Sequence, residues 1–417
     1  MKNKILQIIY DLRTQPVIGW VTIIGTALSI FLIMVVVMMQ QVTILSFAPE
    51  THRDRMLYGM YIHIEGEGNT GSAGMNYSLA KKLYDNLDGV EEISYNSSWL
   101  DAFDAKGTTG KPFTVQVRNT DDGFWRLYDF KLLDGRYYDA EEVAADRDLA
   151  VITEKTARSL FGDDEVIGQH FLLDHNDFEV IGVVADVSMF ATMAYGEVFT
   201  PKIIKTWNDG SLWGNVTASM LVKPGVDFES IRNQVRGRYA TLDSELEADG
   251  QKTVYHESPF DQETIAAGVG GSNITPDPSS GRRTRYIIYT ILLIVPAINL
   301  SSMLHSRLRR RVNEIGIRRA FGCTRKRIIK EILSESFIIT LIGGVIGLVS
   351  AVVFAMIYGG LYSDFGTASV HPSLSMLIRP QTFLFALCAC FILNIISAAV
   401  PAWQASRLDP VEAINTK

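Results

Sequence analysis

The chain has 417 residues, 47% of them apolar, and a formal net charge of −7 from 39 Lys and Arg against 46 Asp and Glu. That length allows two or three domains, and the acidic balance argues against a nucleic-acid partner for the region that carries it. With only Cys323, Cys388 and Cys390, two of them in one apolar run, a disulfide-stapled module is excluded.

Four stretches carry no charged side chain: Thr14–Pro49, Tyr286–Leu304, Ser336–Ser363 and Gln381–Ser406. A helix needs roughly 20 residues to cross about 30 Å of hydrocarbon, so each predicts a membrane span. The spans are placed at 17–45, 286–305, 336–363 and 381–406. The first run far exceeds the h-region of a cleaved signal peptide, about 7–15 residues, and is expected to remain as an anchor. Ahead of it, in 1–16, Ile5, Ile8, Ile9 and Leu12 recur at helical spacing beside Lys2, Lys4, Asp11 and Arg13. That pattern predicts a short amphipathic helix on the inner leaflet; an extension of the span is the alternative, and Pro16 favours a break.

Basic residues set the orientation. Lys2, Lys4 and Arg13 precede the first span, and the loop 306–335 with its flanking His305 holds ten Lys and Arg against three Glu, so both belong in the cytoplasm. The stretch 46–285 then lies outside, as does the short loop 364–380, while 407–417 is a cytoplasmic tail. From Glu50 to Arg285 there are twenty-three basic and thirty-nine acidic residues, which accounts for the whole negative charge.

Within the exterior stretch, "MYIHIE" predicts a strand, followed by a glycine-rich loop, a helix in "MNYSLAKKLYDNL" and strands in "EEISYNS" and "FTVQVRN". Strand, helix and strand return in "TASMLVKPG", "DFESIRNQVRGRYATLDSEL" and "KTVYHE". Two β-α-β halves around an insertion at about 121–201 predict a split ferredoxin-like α+β subdomain carrying a second, mostly β subdomain. The Gly-, Ser- and Pro-rich "AAGVGGSNITPDPSSGRRTR" then predicts a connector to the second span.

Several motifs suggest chemistry that their surroundings do not sustain. "GEGNTG" matches the dinucleotide fingerprint, but it faces outside and no repeating parallel β-α pattern surrounds it, so a flexible strand-to-helix loop is expected. "GTTGKPF" is too short between its glycines for a Walker loop, and Pro112 stands where Ser or Thr would hold magnesium, so no P-loop is expected. His170, Asp174, His175 and Asp177 are possible metal ligands by type, yet "DHND" is also the composition of a polar hairpin turn, which is the preferred assignment. Gly343 and Gly347, with Gly344 beside them, form a G-x-x-x-G pair that would let another helix approach closely, and Pro296 is expected to kink the second span. The four uncharged stretches hold no Asp, Glu, Lys, Arg or His, which argues against an ion or proton pathway through them.

The basic segment "NEIGIRRAFGCTRKRIIKEIL", residues 313–333, interleaves apolar residues with its charges, and Gly316 and Gly322 would each cost a solvated helix about 1 kcal/mol, so a packing partner is expected. This segment, the terminal "PAWQASRLDPVEAI" and the exterior "FKLLDGRYYD" through "FEVIGVVADV" resemble the MacB/FtsX-type permease subunits of ABC transporters, the type VII or mechanotransmission class. Cys323 and Thr324 stand where the family has Ala-Thr or a close variant. The fold class expected is an α-helical membrane protein with four transmembrane helices plus an α+β extracytoplasmic domain, a split ferredoxin-like porter-type subdomain with a mostly β insertion.

The resemblance implies a non-catalytic, multi-pass inner-membrane permease with no cofactor of its own, ATP and magnesium being bound by a separate cytoplasmic ATPase subunit in two copies. It implies that Glu314, Ile315, Gly316, Ile317, Arg318, Arg319 and Phe321 form the surface coupled to that ATPase. Anionic lipid is the competing partner for the arginines. The permease is expected to pair with itself or a paralogue and to export a periplasmic antibiotic, peptide or small molecule, with a periplasmic adaptor and an outer-membrane factor as further partners. The alternatives are an FtsX-like regulator of a periplasmic hydrolase and a LolC/LolE-like lipoprotein-releasing permease.

Overall fold

The computed structural model describes residues 16–66, 70–162, 165–206, 211–270, 272–284, 286–291, 317–318 and 320–364, with 294, 298, 384, 388 and 392 singly. They belong to two compact units, one built on residues 42–279 and the other holding most of the long apolar helices.

In the first unit, β1 (Met56–Gly59), β4 (Val90–Ser97), β12 (Val216–Val222) and β14 (Phe260–Asp261) form an antiparallel sheet of order β14-β1-β12-β4. β2 (Tyr61–Gly66), β3 (Gly71–Gly74) and β13 (Gln251–Val254) form a smaller one of order β13-β2-β3. The predicted single strand "MYIHIE" belongs mostly to β2, and Met60 passes the chain from one sheet to the other. The helix Tyr77–Tyr84 buries Leu79, Leu83 and Tyr84, and its Asn76 cap accepts the Leu79 N–H at 2.7 Å. The longer helix Phe228–Leu246 buries Ile231, Val235, Tyr239, Leu242 and Leu246, one stripe at helical spacing. Each β-α-β unit has a strand of the other between its own two, β12 between β1 and β4, and β1 between β12 and β14. Glycine is required at Gly59, where an added Cβ would lie 2.4 Å from the Tyr84 ring.

The remaining strands are β5 (Asp101–Lys106), β6 (Phe113–Asn119), β7 (Leu132–Gly135), β8 (Leu149–Thr153), β9 (His170–Leu173), β10 (Asn176–Val184) and β11 (Val198–Thr200). Their order is β7-β10-β8-β11-β6-β5-β9, and β9 pairs back onto β10, so six strands close into a barrel with β7 along the far half of β10. Most pairs are antiparallel, but β8–β10 and β6–β11 are parallel. Val115, Val117, Ile152, Phe171, Phe178 and Val180 fill the core together with Ala157, Leu160 and Phe161 of the helix Glu154–Phe161.

Three expectations are corrected. The strand expected at "KTVYHE" does not close the second β-α-β unit: β13 pairs with β2 in the smaller sheet, and β14 takes its place beside β1. The insertion starts at Asp101, not near 121, because "FTVQVRN" is β6 and pairs with β5 and β11 rather than with the open sheet. Its alternation marks a half-buried strand without naming the sheet, and the distant pairing Val117 to Val198 decides. The glycine-rich loop leads from β2 into β3 as a hairpin, not into a helix, since Ile62 pairs with Ala73 and His63 with Ser72. Gly-Ser-Ala-Gly has little strand propensity, and β3 exists because small residues fit, an added Cβ at Gly74 lying 2.4 Å from the Gly214 carbonyl oxygen.

In the second unit the first helix is Pro16–Ile44, opening on the proline that the first helical position tolerates. The last described helix is Arg325–Asp364, of which Lys326–Phe354 is long and apolar enough to cross a membrane. It begins inside the predicted cytoplasmic loop because Ile328 and Ile332, one turn apart, are buried. The amphipathic segment 1–15, Pro296 and nearly all of the predicted fourth span lie outside the described residues.

Candidate functional site

The predicted coupling segment ends in a defined turn. Glu314, Ile315, Gly316 and Arg319 lie outside the described residues, but Ile317, Arg318 and Ala320 onward are described. The Phe321 N–H donates to the Ile317 carbonyl at 3.1 Å and the Cys323 N–H to the Arg318 carbonyl at 3.0 Å. Gly322 lies between them at φ +86, a conformation glycine adopts without cost. This is the Schellman ending of a helix, and it leaves the chain free to restart at Arg325. The Thr324 carbonyl accepts from Arg327 at 3.0 Å and from Ile328 at 3.3 Å as the new helix begins.

The turn presents an apolar pair to its surroundings. Ile317 and Phe321 are one helical turn apart and 49% and 88% exposed. The Arg318 guanidinium donates to Glu331 Oε1 at 3.0 Å, fixing the short helical turn to the long helix. Lys326 and Arg327, just beyond the turn, are also exposed. Gly322, expected only to weaken a continuous helix, ends it instead, and nothing in the local sequence singles out Glu331 as the partner of Arg318.

Further along Arg325–Asp364, both glycines of the G-x-x-x-G pair meet the first helix. An added Cβ at Gly343 would lie 2.9 Å from Thr26 side-chain atoms, and one at Gly347 would lie 2.6 Å from the Ala27 carbonyl oxygen and 3.1 Å from Ile30 Cβ. Gly344 is also buried. An edge-on ring pair, Phe31 and Phe354 with centroids 5.7 Å apart, extends the contact. The sequence marks the glycines, while Thr26, Ala27 and Ile30 carry no signal of their own.

In the unit built on residues 42–279, Asp174 and His175 form the two-residue turn between β9 and β10, both at positive φ, 44 and 71. His170 Nδ1 lies 2.9 Å from Asp177 Oδ2 across that hairpin, and both side chains are more than half exposed. The geometry is that of a polar turn. Sequence patterns did not single out a set of buried charges: Glu50, Arg53, Arg118 and Asp121. Asp121 accepts from the Ser94 hydroxyl at 2.8 Å and from the Tyr95 and Phe124 N–H groups at 2.8 and 3.1 Å. Burial nonetheless pushes its carboxyl up to about 7, against the downward pull of those bonds.

Residues 20–238 match the family described as MacB-like periplasmic core domain, and residues 286–410 match the FtsX-like permease C-terminal region. The uncharacterized ABC transporter permease YknZ of Bacillus subtilis is 26% identical over 72% of this chain and 69% of its own length. The macrolide export ATP-binding/permease protein MacB of Mannheimia succiniciproducens is 24% identical over 81% of this chain and 48% of its own. The pyoverdine export ATP-binding/permease protein PvdT of Pseudomonas entomophila is 25% identical over 75% and 44%. The chain thus spans less than half the length of these two exporters. Among solved structures, the periplasmic region of MacB from Actinobacillus actinomycetemcomitans aligns with a TM-score of 0.36 at 14% identity, covering 51% of this chain and 90% of that one.

Proposed function

The chain belongs to the ABC transporter permeases of the MacB/FtsX type, with a MacB-like periplasmic core domain and an FtsX-like permease region, and from that membership we propose how it works. A separate cytoplasmic ATPase in two copies docks on residues 314–321, and closure of the ATPases on ATP moves the membrane helices and, through them, the extracytoplasmic domain. Two permease copies assemble, each with four spans in the inner membrane. Their work is the export of a substrate already outside the bilayer, in the class suggested by the macrolide and pyoverdine exporters among the relatives. This chain binds no cofactor; ATP and magnesium stay on the ATPase. The split ferredoxin-like assignment of the first subdomain is supported by the interleaving of its two β-α-β units.

The observation that carries this reading is the apolar pair on the coupling turn. A phenylalanine 88% exposed on a turn held by a Schellman bond and an ion pair has an unburied ring worth about 2 kcal/mol if covered, which suits a protein groove. Anionic lipid needs only the charges, available at about 1 kcal/mol each. We therefore compare Ile317→Asp/Phe321→Asp with Lys326→Gln/Arg327→Gln in pull-downs of the ATPase from membranes. The Asp pair is expected to lose at least about tenfold of the bound ATPase and the Gln pair to keep it. Retention by the Asp pair with loss by the Gln pair would move the docking surface to the basic residues.

A further inference from the structure

The chain leaving the first helix is gripped as soon as it emerges. Thr43 lies in the last turn of the helix and Leu45 just beyond it. Gln262 Nε2 donates to the Thr43 carbonyl at 2.9 Å, and Arg53 Nη1 to the Leu45 carbonyl at 3.1 Å. The Arg53 guanidinium also lies 4.2 Å from the centroid of the Phe47 ring.

Arg53 does not stop at the helix end. Its Nη2 donates to the Phe190 carbonyl at 2.6 Å, in the loop between β10 and β11 of the barrel, and its Nε donates to Glu50 Oε2 at 2.5 Å. The other Glu50 oxygen accepts the N–H groups of Met193 and Ala194, at 2.8 and 2.9 Å. Arg118 of β6 reaches the same loop from the opposite side, donating to the carbonyls of Thr192 at 2.9 Å and Tyr195 at 2.6 Å. Its remaining nitrogen donates to the Ser97 carbonyl at 2.6 Å, at the end of β4 in the open sheet. Between Phe190 and Tyr195, five backbone groups are therefore held by three charged side chains, each at most 2% exposed.

Stability alone is a poor explanation for this arrangement. Burying three charges costs several kcal/mol each in desolvation, and an apolar cluster of the same volume would hold the segments together as well or better. An apolar cluster, however, lets its elements slide. The planar guanidinium fork and the two-oxygen carboxylate fix direction as well as distance, and they do so between three separate segments.

We infer that Glu50, Arg53 and Arg118 are positioning residues that make the exit of the first helix, the β10–β11 loop and the end of β4 move as one body, so that displacement of the helix reaches both subdomains outside. The inference rests on the proposed function, since it names the residues through which that motion would pass. A displacement arriving at Leu45 is carried by Arg53 and Glu50 to the barrel loop, and by Arg118 from that loop to the open sheet.

The test uses the full chain assembled with its ATPase in nanodiscs, with a spin label on Lys111→Cys, an exposed position between β5 and β6. Hydrogen exchange reports the Met193 and Ala194 amides, the spin label reports movement outside on adding ATP, and phosphate release reports hydrolysis. In Glu50→Gln and Arg53→Lys, which keep the volume of the site, those amides should exchange about tenfold faster, the loss of one charge-assisted bond. Hydrolysis should stay within about twofold of wild type while the ATP-dependent label signal falls at least about fivefold. Should a single variant misfold, Glu50→Gln/Arg53→Met removes both charges together and must show the same separation of hydrolysis from movement. An ATP-dependent signal equal to wild type in variants whose amides have been released overturns the inference and leaves the proposed function standing. Absence of any ATP-dependent signal in the wild-type complex overturns both.

Discussion

The helix Arg325–Asp364 meets the first helix through Gly343 and Gly347, whereas β6 meets the open sheet through Arg118. The first contact is made by leaving atoms out, the second by burying a charge. In hydrocarbon, association gains nothing from apolar area, so close approach of backbones is what remains, and glycine permits it. Outside the membrane, the two hydrophobic clusters of the extracytoplasmic unit already supply the drive to fold. Buried ions there add direction rather than net stability. The two regions should consequently fail in opposite ways, the helix pair when atoms are added and the exterior domain when charge is altered.

The largest expected effect lies in the helix pair. Gly347→Leu places a side chain against the Ala27 carbonyl, a backbone atom that cannot rotate away, and should cost about 3 kcal/mol or separate the helices altogether. Gly343→Ala meets Thr26 side-chain atoms, which can turn, and should cost about 1 kcal/mol. Denaturant titration of the full chain in detergent orders the two. If Gly347→Leu is as stable as wild type, the contact does not hold the pair and the comparison breaks at its first term.

This contrast also explains what could be read from the sequence. Uncharged runs announce the long apolar helices Pro16–Ile44 and Arg325–Asp364, and G-x-x-x-G announces a close approach, because both are local patterns. The helices over Tyr77–Tyr84 and Phe228–Leu246 were equally legible from their apolar stripes. The sheet that β6 joins was not, since the pairing of Val117 with Val198 unites residues far apart in the chain, although its strand pattern could be read. Nor were the buried charges. Arg118 sits in "FTVQVRN" beside inward-facing Val115 and Val117, and an arginine on the other face of a strand normally meets water. Only the arrival of the 190–195 loop and β4 covers that face. Gly322 was legible only as a cost to a continuous helix, not as its end, and the bond from Arg318 to Glu331 depends on where the new helix starts.

A second effect sharpens the charged side of the comparison. The Asp121 carboxyl titrates at about 7 in the folded chain against an ordinary value of 3.8, with burial as the main cause. A carboxyl whose folded value is raised contributes stability that is fully present below its unfolded value and is lost as the pH rises towards the folded one. Between about pH 4 and 7 the wild type should therefore lose up to about 1.4 kcal/mol per pH unit relative to Asp121→Asn, which cannot ionise. Urea midpoints of both chains across that range give the difference directly. Parallel curves would show that the three hydrogen bonds to Asp121 outweigh burial and keep its charge in place.

The smallest effect is expected where the chain neither omits atoms nor buries charge, at the hairpin between β9 and β10. Asp174 and His175 hold positive φ values of 44 and 71, the geometry in which Asn-Gly is the preferred pair. Replacing them by Asn and Gly should stabilise the chain by about 0.5 kcal/mol, because β9 also pairs with β5 and the barrel closes through this hairpin. The His170–Asp177 pair at its base is 57% and 62% exposed, so Asp177→Asn should change the melting midpoint very little. Zinc should leave it unmoved as well, since a turn that satisfies its own polar groups has no ligand set to offer. A zinc-dependent rise in the midpoint that disappears in Asp177→Asn would overturn the turn assignment and place a metal site on the barrel surface.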